Sequence, residues 1–376
     1  MTGAEVAWRT LRREIVDEPC IIGCWMMKRD FFTRYAGVGD IYADPVRTAV
    51  EAFAEAGCNL NPQFIMPSPI WELRACDPFN LPPKPWVEHE LETPDSAITA
   101  EDIRDELEGL PEAEVELAGF DEKREARAYA GRLKTLTDMS RERTLYIGSF
   151  GLPSFMAGYT RWSYESYLTA LVLYPGHFRR FFRIEAEKAR AHNLAIREAV
   201  RSGAVAPVVY TGDDICFNDG PICSVELLED LYFPALEYAL EPLVEAGIDI
   251  VWHCDGNVLP IVPRLIRMGI SGFQGFQERE ARIPIESMAS FCRHDGGKLV
   301  FFGSVSVVHT FPFGTVADMR EEIERCYRIL APGGGFCLAP SSSVLPETPL
   351  ENVVTFMEYG IEYGRRWLRG EKPRRP

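Results

Sequence analysis

Five times in the second half of the chain, a short β-rich run ends at polar or glycine residues and hands over to a longer amphipathic segment. APVVYTGDD precedes SVELLEDLYFPALEYALEPLVEAG, IDIVWHCDGN precedes VLPIVPRLIRMG, and ISGFQGFQ precedes IPIESMASFCRH. KLVFFGS precedes VADMREEIERCYRILA, and GGFCLAPSSS precedes LENVVTFMEYGIEYGRRWLR. Three further runs lie upstream: CIIGCWMM before PVRTAVEAFAEAG, CNLNPQFIM before a long excursion, and TLYIGSFG before SYLTALVL and FFRIEAEKARAHNLAIREAVRSG. A strand followed by a helix returns the chain to the same edge, so the strands are parallel, and eight such units fit a (β/α)8 barrel better than an open doubly wound sheet. No GxGxxG follows the first strand, which argues against a dinucleotide-binding sheet.

The beat breaks between MPSPIWELRACDPFNLPPKPW and LEGLPEAEVEL, which are rich in proline and then in acid. A stretch this long is not an ordinary connection, so residues 67–140 are expected to form an insertion or helical excursion within one barrel domain spanning 1–376. Its acidic half also reads simply as a solvated surface segment.

The chain of 376 residues, 46% hydrophobic, has material for a large core. A formal charge of -16 opposes approach to a polyanion, which excludes nucleic acid as an expected partner. No apolar run reaches the roughly eighteen residues of a membrane span, and MTGAEVAWRTLRREIVDEP is too charged for a secretory leader, so a cytoplasmic protein with no membrane partner is expected. Ten cysteines are scattered through apolar runs without a CxxC, as buried reduced thiols would be.

In a barrel of this kind, functional groups hang from the C-terminal ends of the strands, which converge on one mouth. Those ends read Cys24–Met27, Gln63, Ser149–Phe150, Asp213–Asp214, His253–Asp255, Gln274 and Gln277, Ser304, and Ser341–Ser343. Strand alternation puts His253 and Asp255 on one side and Cys254 on the other. A His-x-Asp pair aimed into the mouth can ligate a divalent metal or carry a proton. Asp255 has a second reading, as the cap of a helix beginning near Asn257. Asp213 and Asp214 must face opposite ways, so one is expected at a ligand as acid or base and the other in the loop. Ser224 reads as an N-cap. His309 follows the seventh strand and is open to a place in the mouth or in loop packing; His89, His177, His192 and His294 read as structural. Trp25, Phe64, Trp71, Phe150, Phe217 and Phe276 are candidates for an apolar pocket wall or for the core.

Taken in order, GSFGLPSFMAGY, GDDICFNDGPICSVELLEDLYFPALEYALEPLVEAG, WHCDGN, FFGSVSV with FGT, and GGGFCLAPSSSVLPETPLENV resemble the uroporphyrinogen decarboxylase superfamily. That superfamily holds the decarboxylase and the cobamide-dependent methyltransferases. The resemblance runs from about Pro19 to the C-terminus and implies a distorted TIM barrel. It implies a catalytic role for Tyr159, which matches the family's active-site tyrosine. The decarboxylase's paired arginines, which clamp substrate carboxylates, are absent here: Met27 and Phe31 stand in their place, with Lys28 and Arg29 at a different spacing.

The methyltransferases resemble this chain at their His-x-Cys zinc segment, but here Asp255 takes the cysteine position and Ser342 the place of the late cysteine, which is also where the decarboxylase has its C-terminal histidine. The resemblance thus implies a zinc site of His253 and Asp255, helped by Cys337 or Cys254, harder than a thiolate site. It implies a corrinoid, as protein-bound methylcobamide, for methyl donor or acceptor. The candidate partners are a corrinoid protein, a small-molecule acceptor and a second copy of the chain. The acceptor is a thiol or tetrahydrofolate; for the latter, Asp213, Asp214, Asn218, Gln274 and Gln277 would supply acid and hydrogen bonds, with Asp255 and Ser342 also facing substrate. Two further readings are tetrapyrrole decarboxylation and a non-catalytic ligand-binding homologue.

Overall fold

The computed structural model describes residues 1–69 and 98–371. Trp71, His89 and most of the proline-rich excursion lie outside the described residues. Eight parallel strands among the described residues carry the fold: β1 (Cys20–Ile21), β2 (Leu60–Asn61), β3 (Leu145–Tyr146), β4 (Val208–Gly212), β7 (Asp249–His253), β8 (Gly272–Gln274), β9 (Val300–Phe302) and β10 (Phe336–Leu338). Between β4 and β7, the short strands β5 (Cys216–Phe217) and β6 (Gly220–Pro221) form an antiparallel hairpin.

Six of the parallel strands form one sheet in the order β1-β10-β9-β8-β7-β4, and β2 pairs with β3. Single parallel bridges, Ile22↔Leu60 and Gly148↔Val209, link the two sheets at both edges. The strands therefore succeed one another in chain order, and the last pairs with the first, Cys20 opposite Cys337. This is the (β/α)8 arrangement that the strand-helix beat predicts. It is distorted in that two junctions are bridges instead of ladders.

Alternation along the strands sorts the core into two shells. Val208, Tyr210, Val251, Val300, Phe302 and Cys337 belong to an inner cluster, while Val209, Ile250, Trp252, Phe301 and Leu338 pack outward against the helices. Full burial of such side chains contributes roughly 2 kcal/mol each against exposure. His253 has the parity of Val251, so its ring is directed to the inner side at the top of β7.

An N-terminal helix, Gly3–Leu11, which the strand-helix pattern leaves out, sends Ala7 and Leu11 into the inner cluster. Its Thr2 cap accepts from Glu5 N at 3.2 Å. At the same end, Asp249 opens β7 and accepts from Arg13 through two bonds, Nη1 at 2.7 Å and Nη2 at 2.9 Å. The acidic half of the excursion is not simply solvated: it forms the helices Ala100–Glu108 and Ala113–Glu116, which bury Ala100, Ile103, Leu107 and Ala113. The capping box of Thr99 with Asp102 starts the first of them. Glu122–Met139 then leads into β3. No helix among the described residues is long and apolar enough to cross a membrane.

Candidate active site

Three neighbouring strands end at one level, because the register pairs Gly212 with His253 and His253 with Gln274. The backbones approach so closely that a Cβ on Gly212 would stand 1.8 Å from the His253 carbonyl oxygen, so only glycine fits there. Above this level lies a cavity of about 310 Å³, lined by Tyr210, Thr211 and Asp214 from β4 and its loop, by His253, Asp255 and Gln274, and by Ser342 and Ser343 after β10. Trp25, Gln63 and Met156 complete its wall among the described residues.

Asp213 and Asp214 part as alternation requires. Asp213 is fully buried away from the cavity and holds the start of the helix Met156–Trp162, which follows β3. It accepts from Ser154 Oγ at 3.0 Å, Met156 N at 2.9 Å, Tyr232 Oη at 2.8 Å, and also from Phe155 N. Burial pushes its carboxyl up to about 6, against the pull of those four donors. The structure thus removes Asp213 from the candidate acids at the substrate: its oxygens are spent on the fold. Asp214 faces the cavity, and its Oδ1 accepts from Asp255 N at 2.8 Å.

His253 Nε2 lies 3.6 Å from Asp214 Oδ1 and 3.9 Å from Asp255 Oδ1. One donor atom from each of the three side chains falls within 4.8 Å of the others, and among the described residues this is the group able to hold a metal ion. Asp255 Oδ2 accepts from Ser342 Oγ at 3.3 Å, while its Oδ1 is buried without a hydrogen-bond partner. Burial raises the Asp255 carboxyl above its ordinary range, the nearby His253 opposes the rise, and the Asp214 charge adds to it. Asp255 is not the helix cap considered above. Asn257 Oδ1 accepts from Leu259 N at 3.1 Å, and the helix itself, Val262–Arg267, begins five residues further on.

Other expected site residues scatter. Cys337 is fully buried on β10 beside Cys20, facing the inner core below the cavity, so it is not with the metal cluster and Asp214 occupies the third position instead. Cys254 points the other way from His253, as alternation predicts, and packs beside Cys216. Asn218 is exposed in the turn of the β5–β6 hairpin. Gln277 lies past the rim, where its carbonyl accepts from Ala281 N at 2.8 Å, and it does not line the cavity. Tyr159 is buried behind the wall: its hydroxyl donates to the Asp214 carbonyl oxygen at 2.7 Å and its ring stacks on Tyr164. It steadies the Asp214 segment from outside the cavity.

Gln274 lines the cavity but is already saturated by the protein. Its Nε2 donates to Ser341 O at 2.7 Å and Pro340 O at 3.3 Å, and its Oε1 accepts from Tyr210 Oη at 3.0 Å and also meets His253 Nδ1. Burial holds the Tyr210 phenol well above its ordinary value, so it stays a donor. Trp25 has the left-handed φ of 56°, rare for a bulky residue, and is held there by Nε1 donating to Gln63 Oε1 at 2.7 Å and by Tyr210, ring centroids 5.5 Å apart. Phe150 and Phe276 belong to the core, and Phe217 is exposed. His309 pairs with Glu280 and lines a separate cavity of about 430 Å³. Ser224 is the N-cap expected of it, accepting from Leu227 N at 3.2 Å.

Sequence reasoning passed over Tyr210 and Met156 as cavity residues. For Tyr210 a signal was present: counting two back from Gly212 and four back from Asp214 puts it on the same face of β4.

A family model described as uroporphyrinogen decarboxylase (URO-D) matches residues 116–363. Among solved structures, one described as a methyltransferase from Methanosarcina mazei is similar with a TM-score of 0.60 at 16% identity, covering 98% of this chain and 99% of that one. No curated protein matches the sequence.

Proposed function

The chain belongs to the uroporphyrinogen decarboxylase family, and from that premise we propose that it is a methyltransferase that moves a methyl group between a corrinoid on a partner protein and a small acceptor. The observation that carries this reading is the cluster of His253, Asp214 and Asp255 at the rim, where a buried carboxylate oxygen of Asp255 has no hydrogen-bond partner. A nitrogen and two carboxylate oxygens are a donor set suited to zinc or another divalent first-row ion, and an orphaned buried oxygen is the kind of group such an ion satisfies. His253, Asp214 and Asp255 would hold the ion. When bound, it lowers the pKa of an acceptor thiol, making the nucleophilic thiolate available.

The chain's own side chains supply orientation and shelter. Tyr210 and Gln274 steady the imidazole, and Ser342 holds Asp255 by one oxygen. Trp25 and Met156 give the cavity an apolar wall that excludes water from the reacting thiol. Of the two acceptor classes, this geometry favours a thiol. Of the five groups a pterin would draw on, Asp214 and Gln274 line the cavity, but the Gln274 amide is already saturated by the protein, and Asp213, Asn218 and Gln277 do not line it.

Tetrapyrrole decarboxylation finds less support. No lysine or arginine among the described residues lines the cavity, and two carboxylates do. Phe31 is fully buried in the core, and Lys28 Nζ is taken by Pro346 O at 3.1 Å. A substrate with several carboxylates would meet repulsion without a clamp.

The test is incubation of Zn²⁺-loaded protein with methylcobalamin or a methylated corrinoid protein, with thiols and tetrahydrofolate as acceptors, followed through the cobalamin spectrum. Thiol-dependent loss of the methyl group, abolished by His253→Ala, is the expected result. Coproporphyrinogen formation from uroporphyrinogen, with no demethylation in any arm, would reverse the assignment.

A further inference from the structure

We propose that Gln274 is a positioning residue for this cluster: it holds His253 in the tautomer with its proton on Nδ1, which turns the Nε2 lone pair toward Asp214 and Asp255. The inference rests on the reading of the cluster as a cation site. It starts from the orientation of the Gln274 amide, which its neighbours determine. On one side stand two carbonyl oxygens, Ser341 O at 2.7 Å and Pro340 O at 3.3 Å, and only the NH₂ group can donate to them. Flipping the amide would set oxygen against oxygen twice.

Oε1 therefore faces the other way, where Tyr210 Oη donates to it at 3.0 Å and His253 Nδ1 meets it in a short contact. A carbonyl oxygen only accepts, so Nδ1 must donate. A neutral imidazole has one proton, and with that proton on Nδ1 the other nitrogen is bare. That bare nitrogen is the one 3.6 Å from Asp214 Oδ1 and 3.9 Å from Asp255 Oδ1. Three lone-pair donors directed at one another repel, and a cation placed among them converts the repulsion into ligation.

The ring has little room to choose otherwise. His253 and Gln274 are direct partners in the parallel register of β7 and β8. Behind the ring, Gly275 approaches so closely that a Cβ there would stand 2.9 Å from Nδ1. Gln274 thus performs from the neighbouring strand the task that carboxylates and backbone carbonyls perform for metal-bound histidines in general: it assigns the tautomer and fixes the ring plane.

Two measurements test this on the full-length protein. The first is the ¹⁵N spectrum of the His253 ring in metal-free wild type at alkaline pH, assigned with His253→Ala. Protonated Nδ1 with bare Nε2 is expected; protonated Nε2, or a doubly protonated ring, would overturn the proposal without any variant having to fold. The second is titration with Zn²⁺ alone after chelator treatment. Gln274→Leu should bind about 10- to 100-fold more weakly. Gln274→Glu keeps an acceptor for Nδ1 and should bind near the wild-type level, although it is less stable because its carboxylate faces two carbonyls. Parallel loss of affinity and stability in both variants would mean that Gln274 only props the strands, and would overturn the proposal. Absence of any Zn²⁺ binding by wild type would overturn the cation reading and this inference together, whereas binding that Gln274→Leu leaves unchanged would overturn the inference alone.

Discussion

Asp213 lends itself to a quantitative test, because its charge is buried and its four donors are all known: Ser154 Oγ, Phe155 N, Met156 N and Tyr232 Oη. Its carboxyl rises from an ordinary 3.8 to about 6 in the folded protein, with burial outweighing the donors. The folded state therefore binds this proton more tightly than the unfolded chain does. The stability that the proton confers is complete below the unfolded value and is lost as pH rises through the folded one. At about 1.4 kcal/mol for each tenfold difference in proton affinity, the loss amounts to roughly 3 kcal/mol.

Other groups titrate in the same window, so the measurement is the difference between wild type and Asp213→Asn, each unfolded in urea at several pH values. The variant is less stable where the wild-type carboxyl is protonated, because in either orientation its amide nitrogen meets a backbone N–H, that of Phe155 or of Met156. The gap should be widest near pH 3.5 and narrow by about 3 kcal/mol by pH 7, since only wild type pays for ionising the site as pH rises. A gap that stays constant, or widens toward neutral pH, would refute the claim that burial dominates the four hydrogen bonds.

Gly275→Ala should cost about 1–3 kcal/mol and weaken Zn²⁺ binding, because its φ is +98° and the new Cβ would press on the His253 ring; thermal unfolding and metal titration would show both. Cys337→Ser should leave Zn²⁺ affinity unchanged while losing about 1–3 kcal/mol by placing a hydroxyl in the inner core, and a large fall in affinity would return Cys337 to the metal site. Asp249→Asn strips two arginines, Arg13 and Arg293, of their shared carboxylate at the opposite end of β7 from His253. It should destabilise by roughly 3 kcal/mol in denaturant melts, with metal affinity of the folded protein preserved.

The strand-helix beat was legible because both of its signals are local: short β-rich runs close at turn residues, and the amphipathic period of each following helix lies within one segment. The same locality made His253 readable as a rim residue, since it ends an apolar run and shares the parity of Val251. It also let Ser224 be read as a cap and required Asp213 and Asp214 to diverge. The N-terminal helix was missed because its role is to plug the barrel floor, a contact with strands far along the chain.

Which aspartate enters the cavity was beyond local reasoning. Parity separates the two, but only the pairing of Gly212 with His253, set by the β4–β7 register, shows that Asp214 is the inward one. Cys337 entered as a ligand only through the resemblance to a zinc site, and its removal from the cluster follows from its place opposite Cys20, below the rim. Asn218 and Gln277 lie close in sequence to strand ends, yet a hairpin carries one into solvent and a turn carries the other past the mouth. Strands, helices and the identity of the rim are short-range properties of a sequence. The site is a meeting of residues about forty positions apart on adjacent strands, such as Asp214 with Asp255, and distances of that kind exist only once the register has aligned those strands.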